Sequence, residues 1–132
     1  MKIIRLNYSD LHCHFKIAYQ NEYRFREICG LLVCDSEQIR LLPVKNSALE
    51  NFSFWMKKIS INNELRRQRI NYSEVIGTYH SHPYGDIFPG STDIQGAREG
   101  KLILIFGCWK NKIGVWRVSK GKASKVILCV YK

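Results

Sequence analysis

The run Glu74-Val75-Ile76-Gly77-Thr78-Tyr79 is β-branched and aromatic, and it leads directly into His80-Ser81-His82-Pro83. Such residues favour a strand, and a proline, having no backbone donor, ends one. The two histidines therefore stand at the end of a strand, two positions apart. Because strand side chains alternate, both imidazoles leave one face and Ser81 leaves the other.

Beyond Pro83 the chain reads as a loop, Tyr84-Gly85-Asp86-Ile87-Phe88-Pro89-Gly90, and then Ser91-Thr92-Asp93 reads as the capped start of a short helix. A loop of this length can fold back and bring Asp93 beside His80 and His82. That arrangement gives three protein ligands and leaves a fourth tetrahedral position for water, the pattern of catalytic rather than structural zinc. The residues alone leave a second reading open, in which the histidines are a surface pair and Asp93 merely suits the helix N-terminus.

The 132 residues fit one domain, 1–132, with room for a real core. With 45% hydrophobic residues and no apolar run long enough to span a bilayer, the chain reads as soluble, with no membrane partner. Its start, Met1-Lys2-Ile3-Ile4-Arg5, turns polar too soon for a signal peptide, so a cytoplasmic protein is expected. Cys13, Cys29, Cys34, Cys108 and Cys129 form no Cys-x-x-Cys pair and read as reduced, packed thiols. Cys29, between Glu27 and Gly30, is the sharper alternative as a nucleophile, although no histidine lies near it in sequence. The net charge of +10 would steer an anionic partner. The basic residues are spread from Arg5 to Lys132, however, which favours solvated faces or an acidic protein over nucleic acid.

The remaining elements are read from pattern. Ile3–Leu6 reads as a short strand, and Ser9 or Asp10 would cap a helix running to about Glu22. This helix holds a second His-x-His, His12 and His14, but helical residues two apart diverge by roughly 200° and cannot share an ion. Were the segment a strand, that pair would compete for zinc. Residues 26–34 and 39–44 look like a core hairpin, with Glu27 just before the apolar run. Phe52–Met56 suggests a strand or a lid, and Ser60 or Asn62 would cap a helix reaching about Asn71. Lys101–Trp109 reads as a fully buried strand, and two more strands, 113–118 and 125–131, complete a β-rich second half around turns at Asn111-Lys112 and Gly121.

Taken together, Glu27-x-Cys29-Gly30-Leu31-Leu32, then His80-x-His82-Pro83, then Asp93 eleven residues after His82, resembles the JAMM (MPN+) zinc metalloprotease family. The resemblance covers nearly the whole chain, including Asn46 after the hairpin. It implies an α/β (α+β) fold of the cytidine-deaminase-like MPN type, a curved mixed β-sheet flanked by helices. It also implies zinc as cofactor, His80, His82 and Asp93 as its ligands, and Glu27 as the base. The substrate class it implies is an isopeptide or peptide bond after the C-terminal tail of ubiquitin or a ubiquitin-like protein. Processing of a ubiquitin-like sulfur carrier, or a zinc-binding scaffold with weak or no catalysis, is the alternative. One position departs from the family. Its serine falls eight residues after the second histidine, where this chain has Gly90, and Ser91 is the nearest hydroxyl to take that catalytic role.

Overall fold

The computed structural model describes residues 3–22, 26–35, 38–50, 52–109 and 111–131. Seven strands and three α-helices follow one another as β1 (Ile3–Asn7), α1 (Tyr8–Glu22), β2 (Cys29–Asp35), β3 (Gln38–Val44), α2 (Lys58–Gln68), β4 (Val75–His82), α3 (Ser91–Gly96), β5 (Leu102–Gly107), β6 (Lys112–Ser119) and β7 (Lys122–Tyr131). The strands lie in the order β1-β3-β2-β4-β5-β6-β7, and β1 pairs with β7, so the curved mixed sheet closes on itself. Pairings β1–β7, β1–β3 and β4–β5 are parallel and the others antiparallel.

Alternation along each strand divides the apolar residues between two faces. The inner face carries Ile4, Leu6, Leu32, Leu41, Tyr79, Leu104 and Phe106, and α1 packs Leu11 and Ala18 into this cluster. On the outer face, α2 sets Leu65 against Leu31, Val33 and Val44, while Ile94 and Ala97 cover Ile103 and Ile105. β5 is thus sandwiched on both faces and every one of its residues is buried, which is why it reads as a continuous apolar run.

Several boundaries differ from the sequence expectation. α1 starts at Tyr8, and its cap is neither Ser9 nor Asp10: the Asp10 N–H donates to Asn7 Oδ1 at 3.2 Å. Asp10 is used tertiarily, its Oδ2 accepting the Leu41 N–H of β3 at 3.1 Å. α2 starts at Lys58, before Ser60 and Asn62, with no side-chain cap. Phe52–Met56 forms no strand; it crosses the outer face as an irregular segment. The β6–β7 hairpin turns through Lys120 and Gly121, both at positive φ, the conformation a two-residue hairpin requires.

Candidate metal centre

β2 and β4 pair antiparallel, with Cys29 opposite His80, Gly30 opposite Tyr79 and Leu31 opposite Thr78. Continued two residues back along β2, this register sets Glu27 opposite His82. Opposed residues in an antiparallel pair share a face, so the carboxylate and both imidazoles emerge together. Gly30 is needed here: a Cβ on it would come within 2.5 Å of the Tyr79 ring, which lies across it.

Ser81, on the other face, locks the alignment. Its Oγ accepts the Ile28 N–H at 2.9 Å, and its own N–H donates to the Ile28 carbonyl at 3.0 Å. Asn46 adds a second clamp, donating through Nδ2 to the Glu27 carbonyl at 2.8 Å and to Ser53 O at 3.0 Å. Its Oδ1 accepts from the Ala48 and Trp55 backbone N–H groups. One amide thus ties Glu27 to the irregular segment over the site.

The loop after Pro83 does fold back. His80 Nε2 lies 3.0 Å from His82 Nε2 and 3.3 Å from Asp93 Oδ2, and His82 Nε2 lies 3.7 Å from that same oxygen. A tetrahedral ion with bonds of about 2.0–2.1 Å spaces its ligands about 3.3 Å apart, so the trio fits one zinc-sized cation. His82 Nδ1–H donates to the Asp86 carbonyl at 2.7 Å, which leaves Nε2 as the lone-pair nitrogen facing the trio. Phe54 stacks on His80 with centroids 4.5 Å apart, fixing that ring in turn. Among the described residues, His80, His82 and Asp93 form the group that could hold a metal ion.

Electrostatics set the members of the cleft apart. Burial lowers the His80 pKa, keeping the ring neutral. Burial also pulls on His82, but its bonds to Asp93 and Asp86 outweigh that and leave it raised. Asp93 is held well below the carboxylate range, burial being overcome by its contacts with the two histidines. Glu27 moves the other way: burial pushes it up to about 7, offset by His82 and reinforced by Asp93. Two carboxyls in one cleft thereby take different states, one ionised and one poised near neutrality, a pattern suited to acid–base work.

Gly90 is the N-cap of α3, and its N–H donates to Asp93 Oδ2 at 2.8 Å, orienting the carboxylate of the trio. Ser91 opens the helix and is exposed; Thr92, not Ser91, lines the cleft. Cys29 is buried with its thiol pushed up to about 12, first by burial and then by Glu27, so it lacks the thiolate a nucleophile needs. All five cysteines are reduced. Ser81, Phe54 and the Asp86 carbonyl were not legible as site residues; a backbone carbonyl leaves no mark in sequence.

Residues 16–119 match the family described as prokaryotic homologs of the JAB domain. The chain belongs to that family. A search of curated proteins returns no significant match. Among solved structures, a protein from Desulfitobacterium hafniense aligns with a TM-score of 0.76 at 19% identity, over 98% of this chain and 93% of that one. A JAMM structure, described by its metalloprotease-like zinc site in the proteasome and signalosome, gives 0.56 at 16% identity over 98% and 99%. A JAB1/MPN domain protein from Archaeoglobus fulgidus gives 0.55 at 16% over 98% and 97%. These likenesses establish the JAB/MPN fold. No helix among the described residues of this JAB protein is long and apolar enough to cross a membrane.

Proposed function

We propose that this JAB protein is a zinc-dependent metallopeptidase that cleaves the amide bond after the C-terminal tail of a ubiquitin-like protein. The observation that carries the reading is the placement of Glu27, buried and poised near neutrality, in the same cleft as His82 and Asp93. Zinc held by His80, His82 and Asp93 would supply Lewis acidity, making water a competent nucleophile near neutral pH. Glu27 takes the proton from the attacking water and passes it to the departing amine nitrogen. The Asp86 carbonyl behind His82 and the Phe54 ring stacked on His80 set the two imidazoles so that their Nε2 atoms would face the ion.

Gly90 supports a second reading within the same fold, a zinc-holding module with slow or no turnover. Where the family has a serine there is no hydroxyl, and the Gly90 N–H is committed to Asp93. The deciding experiment is cleavage of a ubiquitin-like protein carrying a C-terminal extension, and of the same protein in lysine isopeptide linkage, before and after chelation. Zinc-restorable cleavage that Glu27→Gln abolishes supports the peptidase. Cleavage undiminished by chelation rules it out, and equal background rates in wild type and Glu27→Gln favour the scaffold. Cleavage of the linear extension alone would point to processing of a sulfur carrier.

A further inference from the structure

The cleft does not end at the trio. It continues for a total of about 800 Å³ along the outer face of β4, between Met56 and Ile61 on one side and Thr92 and Ala97 on the other. Its two ends differ in charge. Glu27 and Asp93 stand at the metal end, while Arg98 and Lys101 line the far end. His80 pairs with Ile105 across the parallel β4–β5 ladder, and Lys101 lies four residues before Ile105. At about 3.3 Å per strand residue that is about 13 Å, the reach of four residues of extended peptide.

Among the described residues, the far-end cations lack acidic partners. Lys101 Nζ donates to the Val75 carbonyl at 2.7 Å, using one of its three donors. The Arg98 guanidinium sits 5.4 Å over the Tyr72 ring, which positions it without engaging its N–H groups. The carboxylates beside these contacts, Glu74 next to Val75 and Glu99 between the two cations, are engaged elsewhere. Glu74 Oε1 accepts the Asn71 N–H at 3.0 Å, and Glu99 accepts from the Ser119 hydroxyl at 2.7 Å and the Lys120 N–H at 2.9 Å. Among the described residues, no ion pair joins Arg98 or Lys101 to a carboxylate.

We infer that Arg98 and Lys101 form a specificity site for a substrate carboxylate about four residues from the scissile amide, with apolar substrate side chains between. The inference rests on the peptidase reading, which supplies the scissile amide. A carboxylate there completes two cations already held at the cleft wall, and the overall charge of +10 steers such a substrate inward. A tail with a basic residue at that distance is rejected by like charge.

The test uses zinc-loaded Glu27→Gln, so that binding is read without turnover. Fluorescent apolar peptides would carry Glu, Gln or Lys four residues to either side of the central amide, each with a free or an amidated C-terminus, and binding would be followed by anisotropy. The Glu peptide is expected to bind about tenfold tighter than the Gln peptide, and the Lys peptide more weakly still. A preference that follows the free C-terminus instead assigns the site to a terminal carboxylate. In Arg98→Gln/Lys101→Met the preference should fall below about threefold, with zinc content and melting temperature as folding controls. Arg98→Gln alone, at an exposed residue, should give a partial loss. Equal binding of Glu, Gln and Lys peptides overturns the specificity site even if wild type cleaves them. An acid preference without zinc-dependent cleavage upholds the carboxylate site and removes the peptidase reading instead.

Discussion

The chain contains the triplet His-x-His twice, and the two copies end in opposite circumstances. On α1, His12 is exposed and His14 is buried against the core, where its Nδ1–H donates to the Asp10 carbonyl at 2.7 Å. On β4, His80 and His82 bring their Nε2 atoms to 3.0 Å. Identical residue types at identical spacing give one packing histidine and one metal-ready pair, because a helix turns alternate residues apart and a strand returns them to one face. Backbone periodicity, not composition, decides which pair can share an ion.

The largest expected effect breaks that contrast directly. His82→Ala should reduce bound zinc from about one equivalent to none, since a three-ligand site rarely survives as two. His12→Ala should leave zinc unchanged. Metal analysis after dialysis checks both, and zinc lost from the His12 variant would overturn the assignment.

Next is Glu27, the proposed base, which shares its cleft with the strand pair. Glu27→Gln should slow zinc-dependent cleavage by about 10²–10⁴-fold, measured as kcat on any substrate that wild type cuts. The same variant has a signature in stability. Glu27 is raised from the usual 4.5 to about 7 in the folded state. Between those values the folded chain holds a proton that the unfolded chain has released, so zinc-free stability declines as pH rises through this window. One such site contributes up to about 3 kcal/mol. His82, raised above 6.5, adds stability that is present below 6.5 and lost as pH climbs through its folded value. Glu27→Gln should therefore flatten the melting-temperature profile from pH 4.5 to 7 and reduce, without abolishing, the decline above 6.5, because Asp93 and Asp86 still raise His82 when the Glu27 charge is gone.

Gly90→Ser sharpens the view of what the strand pair lacks. A Cβ on Gly90 would meet Asp93 Oδ2 at 3.7 Å, an ordinary contact, so serine fits. Loss of a single oxyanion donor costs about 10²–10³-fold, and restoring a hydroxyl should recover part of that as a rise in kcat with zinc content unchanged. An unaltered kcat would show that Thr92 or a backbone donor already serves.

Much of this geometry was legible because it depends on periodicity and punctuation. Pro83 ended β4 as expected, the loop to Asp93 folded back, and the apolar run Leu102–Gly107 lies buried on both faces. The features that escaped depend on long-range pairing. Nothing local to Asn46 says that its amide will bridge Glu27 and Ser53, nor to Asp10 that its carboxylate will hold the Leu41 N–H of β3. Closure of the sheet by β1 and β7 is likewise a property of all seven strands, and no single segment encodes it.

The smallest effects lie in the helical pair. His14 presents its ring edge-on to Tyr79 at 5.5 Å, so His14→Ala removes that packing and the Asp10 bond together. Against this, His14 Nε2 is buried without a partner, an existing cost that alanine relieves. The net loss should then fall at the lower end for a buried side chain, about 1–2 kcal/mol, read from the urea midpoint at fixed zinc. His12→Ala, on the exposed side of α1, should shift stability by no more than about 0.5 kcal/mol. A His12 effect as large as that of His14 would mean that burial does not separate the two helical histidines, and the contrast between a packing pair and a binding pair would fail on the helix rather than on the strand.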